Sequence, residues 1–305
     1  MSADARIDRE ASTMNHRCET GQKLRAGWVL LRAVVGLFCG WLTVTAVAAA
    51  EYRFSPVNQS NISTAAAYWN PIVAYVSEKS GVKLSLKIGR TSADTTSYVL
   101  AQEVEFVFSN HLFSPDREAL GWKVFGRRNT PAVRGQLVVL ADSPISNVAE
   151  LEGKDIGFPG PEAFLAYKLP YGYLLNQKIN ARPVFGGNMD GAFAQLISGK
   201  VTAVGANSQL VEAYTKRENK YFRVLWSSEP MFDLALMASS KVPEKEVEAV
   251  ARAFLGMQKD PHGRAILAQV NQLIGLAPDI HFIAADSKDY ASYRRFYQTA
   301  PVQVR

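Results

Sequence analysis

Few residues of this chain have a type and setting suited to chemistry on a bound molecule. Asp233 lies inside the apolar run FDLALM, residues 232–237, where an acidic side chain is costly unless it has a partner. His111 ends a second apolar run that begins at Val104. A carboxylate and an imidazole within or next to apolar runs of this kind can bind a polar solute through hydrogen bonds and charge. The two residues therefore indicate binding, although Asp233 could instead pair within its own strand.

Sequence signatures of catalysis are missing. The chain has four histidines but no H-E-x-x-H, no G-x-S-x-G and no phosphate-binding glycine loop. Both cysteines, Cys18 and Cys39, precede residue 51, so the rest of the chain offers no disulfide, thiolate metal ligand or cysteine nucleophile. We expect no enzymatic activity, no cofactor and no bound metal.

The first fifty residues read as a targeting segment. Basic residues between Arg17 and Arg32 precede or enter an apolar stretch over residues 28–47. Ala46-Val47-Ala48 and Ala48-Ala49-Ala50 both fit a signal-peptidase site. We interpret residues 1–50 as a signal peptide that exports the protein to the periplasm. The alternative is a retained membrane anchor, because the apolar stretch approaches the roughly 20 residues that span a bilayer.

The charge pattern gives no sign of a nucleic-acid partner. The formal net charge is +6 at pH 7, but the basic residues are scattered and no basic run alternates with aromatic residues.

Roughly 255 residues follow the predicted signal peptide, which is enough for a large core divided between two lobes.

The elements that would position Asp233 and His111 begin with strands and helices in alternation. Residues 52–57, 82–89 and 104–111 have the composition of strands. A helix is predicted from an N-cap at Ser63 or Thr64 to Gly81, and another over residues 94–102. This βαβαβ order predicts an open α/β sheet with helices on both faces. Ligands bind at the carboxyl ends of such strands, here residues 58–61 and 109–111.

A second lobe is predicted after this sheet. Residues 136–141 form a strand that leads into it, residues 148–151 a short helical turn and residues 155–158 another strand. A helix start follows at residues 159–164, and a later helix ends at Gly199.

The chain would return to the first lobe near residues 231–238. Helices that begin at Pro243 and Pro261 would complete it. Two crossing strands would thus join the lobes. The predicted domains are a signal peptide at 1–50, the first part of lobe one at 51–140, lobe two at 141–230, and the return strand with C-terminal helices at 231–305.

Several different short motifs follow one another along the chain. They are Asn58-Gln59-Ser60-Asn61, Trp69-x-Pro71, VEFVF at 104–108, Arg134-Gly135, DSPI at 142–145, LEGK at 151–154, GKVTA at 199–203, VLWSSEP at 224–230, and Asp233. Their order and spacing resemble the periplasmic substrate-binding proteins of phosphonate, phosphite and phosphate ABC transporters. The resemblance implies the type II periplasmic-binding fold: two lobes, each a mainly parallel sheet flanked by helices, joined by two crossing strands.

The resemblance also implies a ligand site in the cleft between the lobes. Lobe one would contribute Gln59, Ser60, Ser109, Asn110 and His111. Lobe two would contribute Pro161, Glu162, Ala163, Phe164, Asn188, Met189 and Gln209, and Asp233 would lie near the hinge.

The positions that hold the phosphonate in this family differ here. The family's Ser-Thr-Ser-Gly run at a helix N-terminus corresponds to AFLA, residues 163–166, which has no hydroxyl. The family histidine corresponds to Met189, whose thioether cannot donate a hydrogen bond, and Glu162 would repel an anion. The family's two amine-recognising carboxylates correspond to Gln209 and Asp233, so one acid is retained. We predict a ligand other than a typical phosphonate.

Several of these positions also have a purely structural interpretation. Phe164 could belong to the apolar face of a helix start. His111 could end a strand and hydrogen-bond to the backbone, and Asn188 and Gln209 could be loop amides that shape turns. Trp69 and Trp226 fit the core.

The function that the resemblance implies is capture of a small polar ligand by an exported, monomeric protein. Closure of the lobes about the crossing strands would enclose the ligand, which would then pass to an inner-membrane ABC permease. The alternative is that the closed, ligand-loaded protein signals to a membrane sensor kinase.

Overall fold

The computed structural model describes residues 51–305. The predicted signal peptide lies outside the described residues, so the export interpretation stays a prediction. Within residues 51–305, no helix combines the length and the apolar character needed to cross a membrane.

The described residues form strands and helices in alternation along most of their length. The strands are β1 (Glu51–Pro56), β2 (Lys83–Leu86), β3 (Phe106–Ser109), β4 (Lys123–Arg128), β5 (Gly135–Leu140), β6 (Asp155–Phe158), β7 (Arg182–Phe185), β8 (Ala203–Asn207), β9 (Phe222–Ser227), β10 (Ala235–Ala238) and β11 (Phe282–Ile283). The α-helices are α1 (Ile62–Ser80), α2 (Asp94–Leu100), α3 (Pro115–Glu118), α4 (Leu169–Asn176), α5 (Met189–Ile197), α6 (Ser208–Glu218), α7 (Glu244–Gly256), α8 (Pro261–Leu273) and α9 (Ala291–Thr299). A turn of π-helix, Phe164–Lys168, precedes α4, and 3₁₀ turns occupy Val148–Leu151, Met257–Lys259, Ser287–Tyr290 and Val302–Val304.

The sheet of lobe one has the strand order β11-β4-β10-β3-β1-β2. Strand β1 is parallel to β2 and β3, whereas β10 is antiparallel to both β3 and β4. It follows that β1, β2, β3 and β4 run in one direction and end at the same edge of the sheet. Strand β4 is not among the predicted strands, and its last residue, Arg128, lies at that edge.

The sheet of lobe two has the order β7-β6-β8-β5-β9. Strands β7, β6 and β8 are parallel, and β5 pairs antiparallel with β8 and β9. Two mixed sheets, each flanked by helices, confirm the predicted two-lobed α/β fold.

Two short segments connect the lobes, between β4 and β5 and between β9 and β10. They pair with each other where Val133 N donates to Met231 O at 2.7 Å and Met231 N donates to Val133 O at 2.8 Å. Strand β5 pairs with β8 and β9 of the second sheet. The sequence-based boundary after residue 140 assigns this strand to lobe one, whereas its hydrogen bonds place it in lobe two, because the change of sheet occurs before Gly135.

Lobe one packs apolar side chains on both faces of its sheet. On one face, Phe106 and Phe108 of β3 join a core with Trp69 of α1. On the other face, Val107 joins a core with Tyr293 of α9. The nearly continuous apolar run in β3 thus reflects burial on both sides, as the sequence predicts.

Helix α1 begins two to three residues earlier than predicted. Its N-cap is Asn61, not Ser63 or Thr64, since the Asn61 side chain accepts from Thr64 N and its backbone is extended. The predicted end is confirmed, because Gly81 caps the helix with φ of 69°.

Candidate functional site

Asp233 lies at the centre of a cleft between the two lobes. Its Oδ1 accepts from Asn110 Nδ2 at 3.0 Å, and its Oδ2 accepts from Asn207 Nδ2 at 2.8 Å and from Gln59 Nε2 at 3.3 Å. Gln59 and Asn110 belong to lobe one and Asn207 ends β8 of lobe two. One carboxylate, carried by the segment that connects the lobes, thus receives hydrogen bonds from both of them.

Burial governs the ionisation of Asp233. Desolvation raises the pKa of its carboxyl to about 6. The charge of Arg128 and the amide donors Gln59 and Asn207 oppose this increase in pKa. The hydrogen bonds therefore compensate burial only in part. The group is largely ionised at neutral pH and takes up a proton in mildly acidic solution.

The polar residues of lobe one reach the cleft because they follow strand ends. Gln59 follows β1, and Asn110 and His111 follow β3, so parallel strands deliver them to one edge. The His111 ring is buried, with Nδ1 3.0 Å from Thr96 Oγ1. Burial lowers the pKa of His111 to about 4, so its ring is neutral at physiological pH and contributes polarity without charge.

Lobe two supplies an apolar wall opposite Asp233. Ala163, Phe164, Met189 and Leu210 line the cleft here, in a space of about 360 Å³ that includes its open mouth. The π-helical turn that carries Phe164 lies directly on β5 and β8, which requires two glycines. A Cβ on Gly135 would lie 2.5 Å from Leu165 O, and one on Gly205 would lie 2.4 Å from Ala166 O.

Phe164 takes part in both of the arrangements that the sequence leaves open. It lines the cleft, and it is only 1 % exposed. Its ring centroid lies 4.0 Å from that of Tyr293 and 4.9 Å from that of Phe296. Phe164 thus packs lobe two against α9 while one side of it faces the cleft.

Glu162 forms an ion pair across the lobes. Arg117, in α3 of lobe one, binds both carboxylate oxygens, with Nη2 to Oε1 at 3.1 Å, and its Nη1 also donates to His111 O at 2.9 Å. Burial alone would raise the pKa of Glu162, but Arg117 outweighs it and the pKa is lowered. The paired charge weakens the expected repulsion of an anion by Glu162.

The remaining predicted residues divide between lining and structural positions. Ser60 lines the cleft beside Gln59, and Gln209 lines a smaller space that it shares with Asp233. Ser109 Oγ accepts from His111 N at 3.0 Å, and Asn188 caps α5 by accepting from Gly191 N at 2.9 Å. Pro161 is exposed on the loop before the π-helical turn.

Sequence reasoning missed Arg128. It lines the cleft together with Tyr68, Trp69 and Phe108, next to the space around Asp233. Trp69 was predicted to be core, and at 4 % exposed it is buried in the lobe-one core while its edge reaches the cleft. The only available signal was a pair of arginines that ends the strand-like run KVFGRR.

Direct contacts join the lobes at the rim of the cleft. Ser92 N donates to Gly187 O at 2.8 Å, and Asn61 N donates to Asp190 Oδ2 at 3.2 Å. The conformation described here is therefore closed. Residues 51–305 contain no group of three or more His, Cys, Asp or Glu side chains placed to hold a metal ion.

Comparison with known families places the chain. Residues 54–290 match the family model described as "ABC transporter, phosphonate, periplasmic substrate-binding protein". The chain belongs to this family. It is consequently a substrate-binding transport protein and not an enzyme, and the predicted family membership is confirmed.

Solved structures of low sequence identity share the fold. A binding-protein component of an ABC phosphonate transporter from Pseudomonas aeruginosa has a TM-score of 0.69 and 14% identity, covering 81% of this chain and 85% of that chain. PhnD1 from Prochlorococcus marinus, in complex with methylphosphonate, has a TM-score of 0.64 and 17% identity, covering 80% and 95%. A Xanthomonas citri protein bound to ATP has a TM-score of 0.62 and 14% identity, covering 81% and 96%. None of the curated proteins matches the chain.

The lobe-two wall of the cleft is apolar where the sequence predicts an apolar segment. The resemblance assigns residues 163–166 to the hydroxyl-rich helix start that binds the phosphonate, and here Ala163 and Phe164 face the cleft instead. Met189 stands where the family histidine is expected and is 3 % exposed. Around Asp233, lobe one thus contributes the polar side chains of Gln59, Asn110 and His111, whereas lobe two contributes Asn207 and an apolar wall.

Proposed function

We propose that this protein captures a small polar solute carrying a positive charge and delivers it to an inner-membrane ABC permease. The observation that carries the proposal is the position of Asp233, where donors from both lobes meet a single buried carboxylate. A ligand cation at this carboxylate would engage the connecting segment and both lobes at once. Such a ligand stabilises the closed form because the open form offers fewer of these contacts.

A phosphonate held in the family's usual manner does not fit the lobe-two wall. Neutral-to-anion hydrogen bonds contribute about 1.5–3 kcal/mol each, and the side chains of residues 163–166 supply none. The relatives described above hold methylphosphonate and ATP, both anions. An anionic group on the present ligand would need a different partner in the cleft.

Export and a monomeric state complete the proposal. A cleaved signal peptide over residues 1–50 agrees with the periplasmic location of the family. The cleft is built within one chain, so binding needs no second copy.

Isothermal titration against a panel of phosphonates, phosphate and small cationic and zwitterionic solutes tests the proposal. We expect binding of a solute that carries an amine, accompanied by a smaller radius of gyration in small-angle scattering if the empty protein samples an open form. A panel without any binding partner would refute solute capture. Genes for a permease and an ATPase next to the coding gene would support delivery, and a sensor-kinase gene in their place would favour signalling.

A further inference from the structure

Arg128 carries a charge that the described part of the protein does not neutralise by direct contact. It is 8 % exposed, and none of the ion pairs among residues 51–305 includes it. Within the same residues, its Nε has no hydrogen-bond partner. Desolvating a guanidinium without a counter-charge costs several kcal/mol, so a buried position of this kind calls for a partner.

Aromatic rings hold the guanidinium in place. Its Cζ lies 4.8 Å from the ring centroid of Phe108, 4.9 Å from that of Tyr68 and 5.8 Å from that of Trp69. Cation–π contacts stabilise a cation, but they leave its N–H donors without acceptors. The rings thus fix the orientation of the guanidinium, and apart from an interaction with the Tyr68 hydroxyl its donors are available to a ligand.

Two other arginines border this part of the cleft. Arg127 lines the same small space as Arg128, with its Cζ 3.9 Å from the ring centroid of Phe232. The second is arranged differently. Arg217, which approaches from lobe two, donates to Asp190 at 2.6 Å and to Glu218 at 2.8 Å. Its charge is therefore neutralised within lobe two, whereas that of Arg128 is not.

The fold explains why Arg128 faces the cleft. Strand β4 runs in the same direction as β1 and β3, so its last residue lies at the edge that also presents Gln59 and Asn110. Arg128 and Asp233 line one small space from two sides. A positive and a negative group therefore border the same cleft without forming an ion pair.

We propose that Arg128 is the anion-binding residue of this cleft, so that the solute is a zwitterion whose acidic group binds Arg128 while its amine binds Asp233. This inference rests on the proposed function and specifies its substrate class. The acidic group is a carboxylate or a phosphonate, since both accept two parallel hydrogen bonds from a guanidinium. The anion site has thus moved from the helix start of lobe two to the end of β4 in lobe one.

Isothermal titration with four probes tests the assignment. β-Alanine and 2-aminoethylphosphonate carry an amine with a carboxylate or a phosphonate, methylphosphonate carries the acid alone, and ethylamine the amine alone. We expect the wild-type protein to bind at least one two-charge probe more tightly than either single-charge probe. The preferred two-charge probe identifies the acidic group.

Variants assign the effect to Arg128. Arg128→Met should weaken the two-charge probe by about thirtyfold, the equivalent of a lost charge-assisted hydrogen bond, and leave ethylamine within about threefold. Arg252→Met is the matched control, because Arg252 is 68 % exposed in its side chain, pairs with Glu248 and lies in the same lobe. It should bind every probe as the wild type does.

The outcomes separate this inference from solute capture itself. Equal affinity of wild type and Arg128→Met for the two-charge probe overturns the role of Arg128 while solute capture stands. The zwitterion assignment is overturned if ethylamine binds as tightly as the two-charge probes, or if none of the four probes binds. In either case, the wider panel of solutes then tests solute capture. Should Arg128→Met fail to fold, Arg128→Gln decides: it removes the charge but keeps a polar side chain of similar reach, so an unchanged affinity for the two-charge probe refutes the proposal.

Discussion

The Asp233 carboxyl should make the stability of the empty protein depend on pH in an unusual direction. Its pKa is about 6 in the folded protein against an ordinary 3.8, so the native state binds the proton more strongly than the unfolded chain. The stability from this group is fully present below pH 3.8 and is lost as the pH rises through 6. Most paired carboxylates behave in the opposite way.

The magnitude follows from the two pKa values. A difference of about two units corresponds to about 3 kcal/mol over the whole window, at about 1.4 kcal/mol per unit. From about pH 7.5 to pH 5, the contribution of Asp233 to the free energy of unfolding increases by about 1.4 kcal/mol.

An Asp233→Asn variant isolates this contribution. The difference in unfolding free energy between wild type and variant should shift in favour of wild type by about 1.4 kcal/mol from about pH 7.5 to pH 5, measured by urea unfolding followed by circular dichroism. Asp142→Asn, at an exposed position, controls for the loss of one negative charge. A pH-independent difference between wild type and Asp233→Asn would refute the link between burial and the raised pKa. Ligand binding adds a second readout, because affinity for an amine-bearing solute should fall as the pH drops below about 6 and should be lost in the variant.

The remaining predictions concern the contacts around the cleft. Glu162→Gln should weaken the contact with Arg117 and favour opening of the lobes by about 1–3 kcal/mol, which a larger radius of gyration of the empty protein would reveal and an unchanged radius would contradict. The His111 ring should stay neutral down to about pH 5, since its pKa is about 4, and ¹H–¹⁵N spectra that show titration near pH 6.5 would disprove this. Asn61→Ala should cost about 1 kcal/mol through loss of the α1 cap, with Ser63→Ala as a neighbouring control that should cost less. Gly205→Ala should be severely destabilising, because its Cβ would lie 2.4 Å from Ala166 O, and thermal unfolding within a few degrees of wild type would rule out that contact.

Local sequence patterns predicted most of the elements and the family. Apolar runs bounded by polar residues located β1, β3 and β6, and proline with acidic residues marked the start of α7. These signals depend on neighbours in sequence, so they can be recognised without knowledge of the fold. An acid within the apolar residues 232–237 also pointed to Asp233, because burial of an unpaired carboxylate is costly wherever the strand lies.

The tertiary structure alone decided which groups meet at that carboxylate. Gln59, Asn110 and Asn207 are far from Asp233 in sequence or belong to another lobe, and only the strand order brings their amides together. The pairing of Glu162 with Arg117 and the exposure of Arg128 to the cleft depend likewise on lobe closure and on the direction of β4. A sequence determines which side chains can ionise, whereas the distance of each to its counter-charge, and hence its ionisation and function, is set by the packing of distant segments.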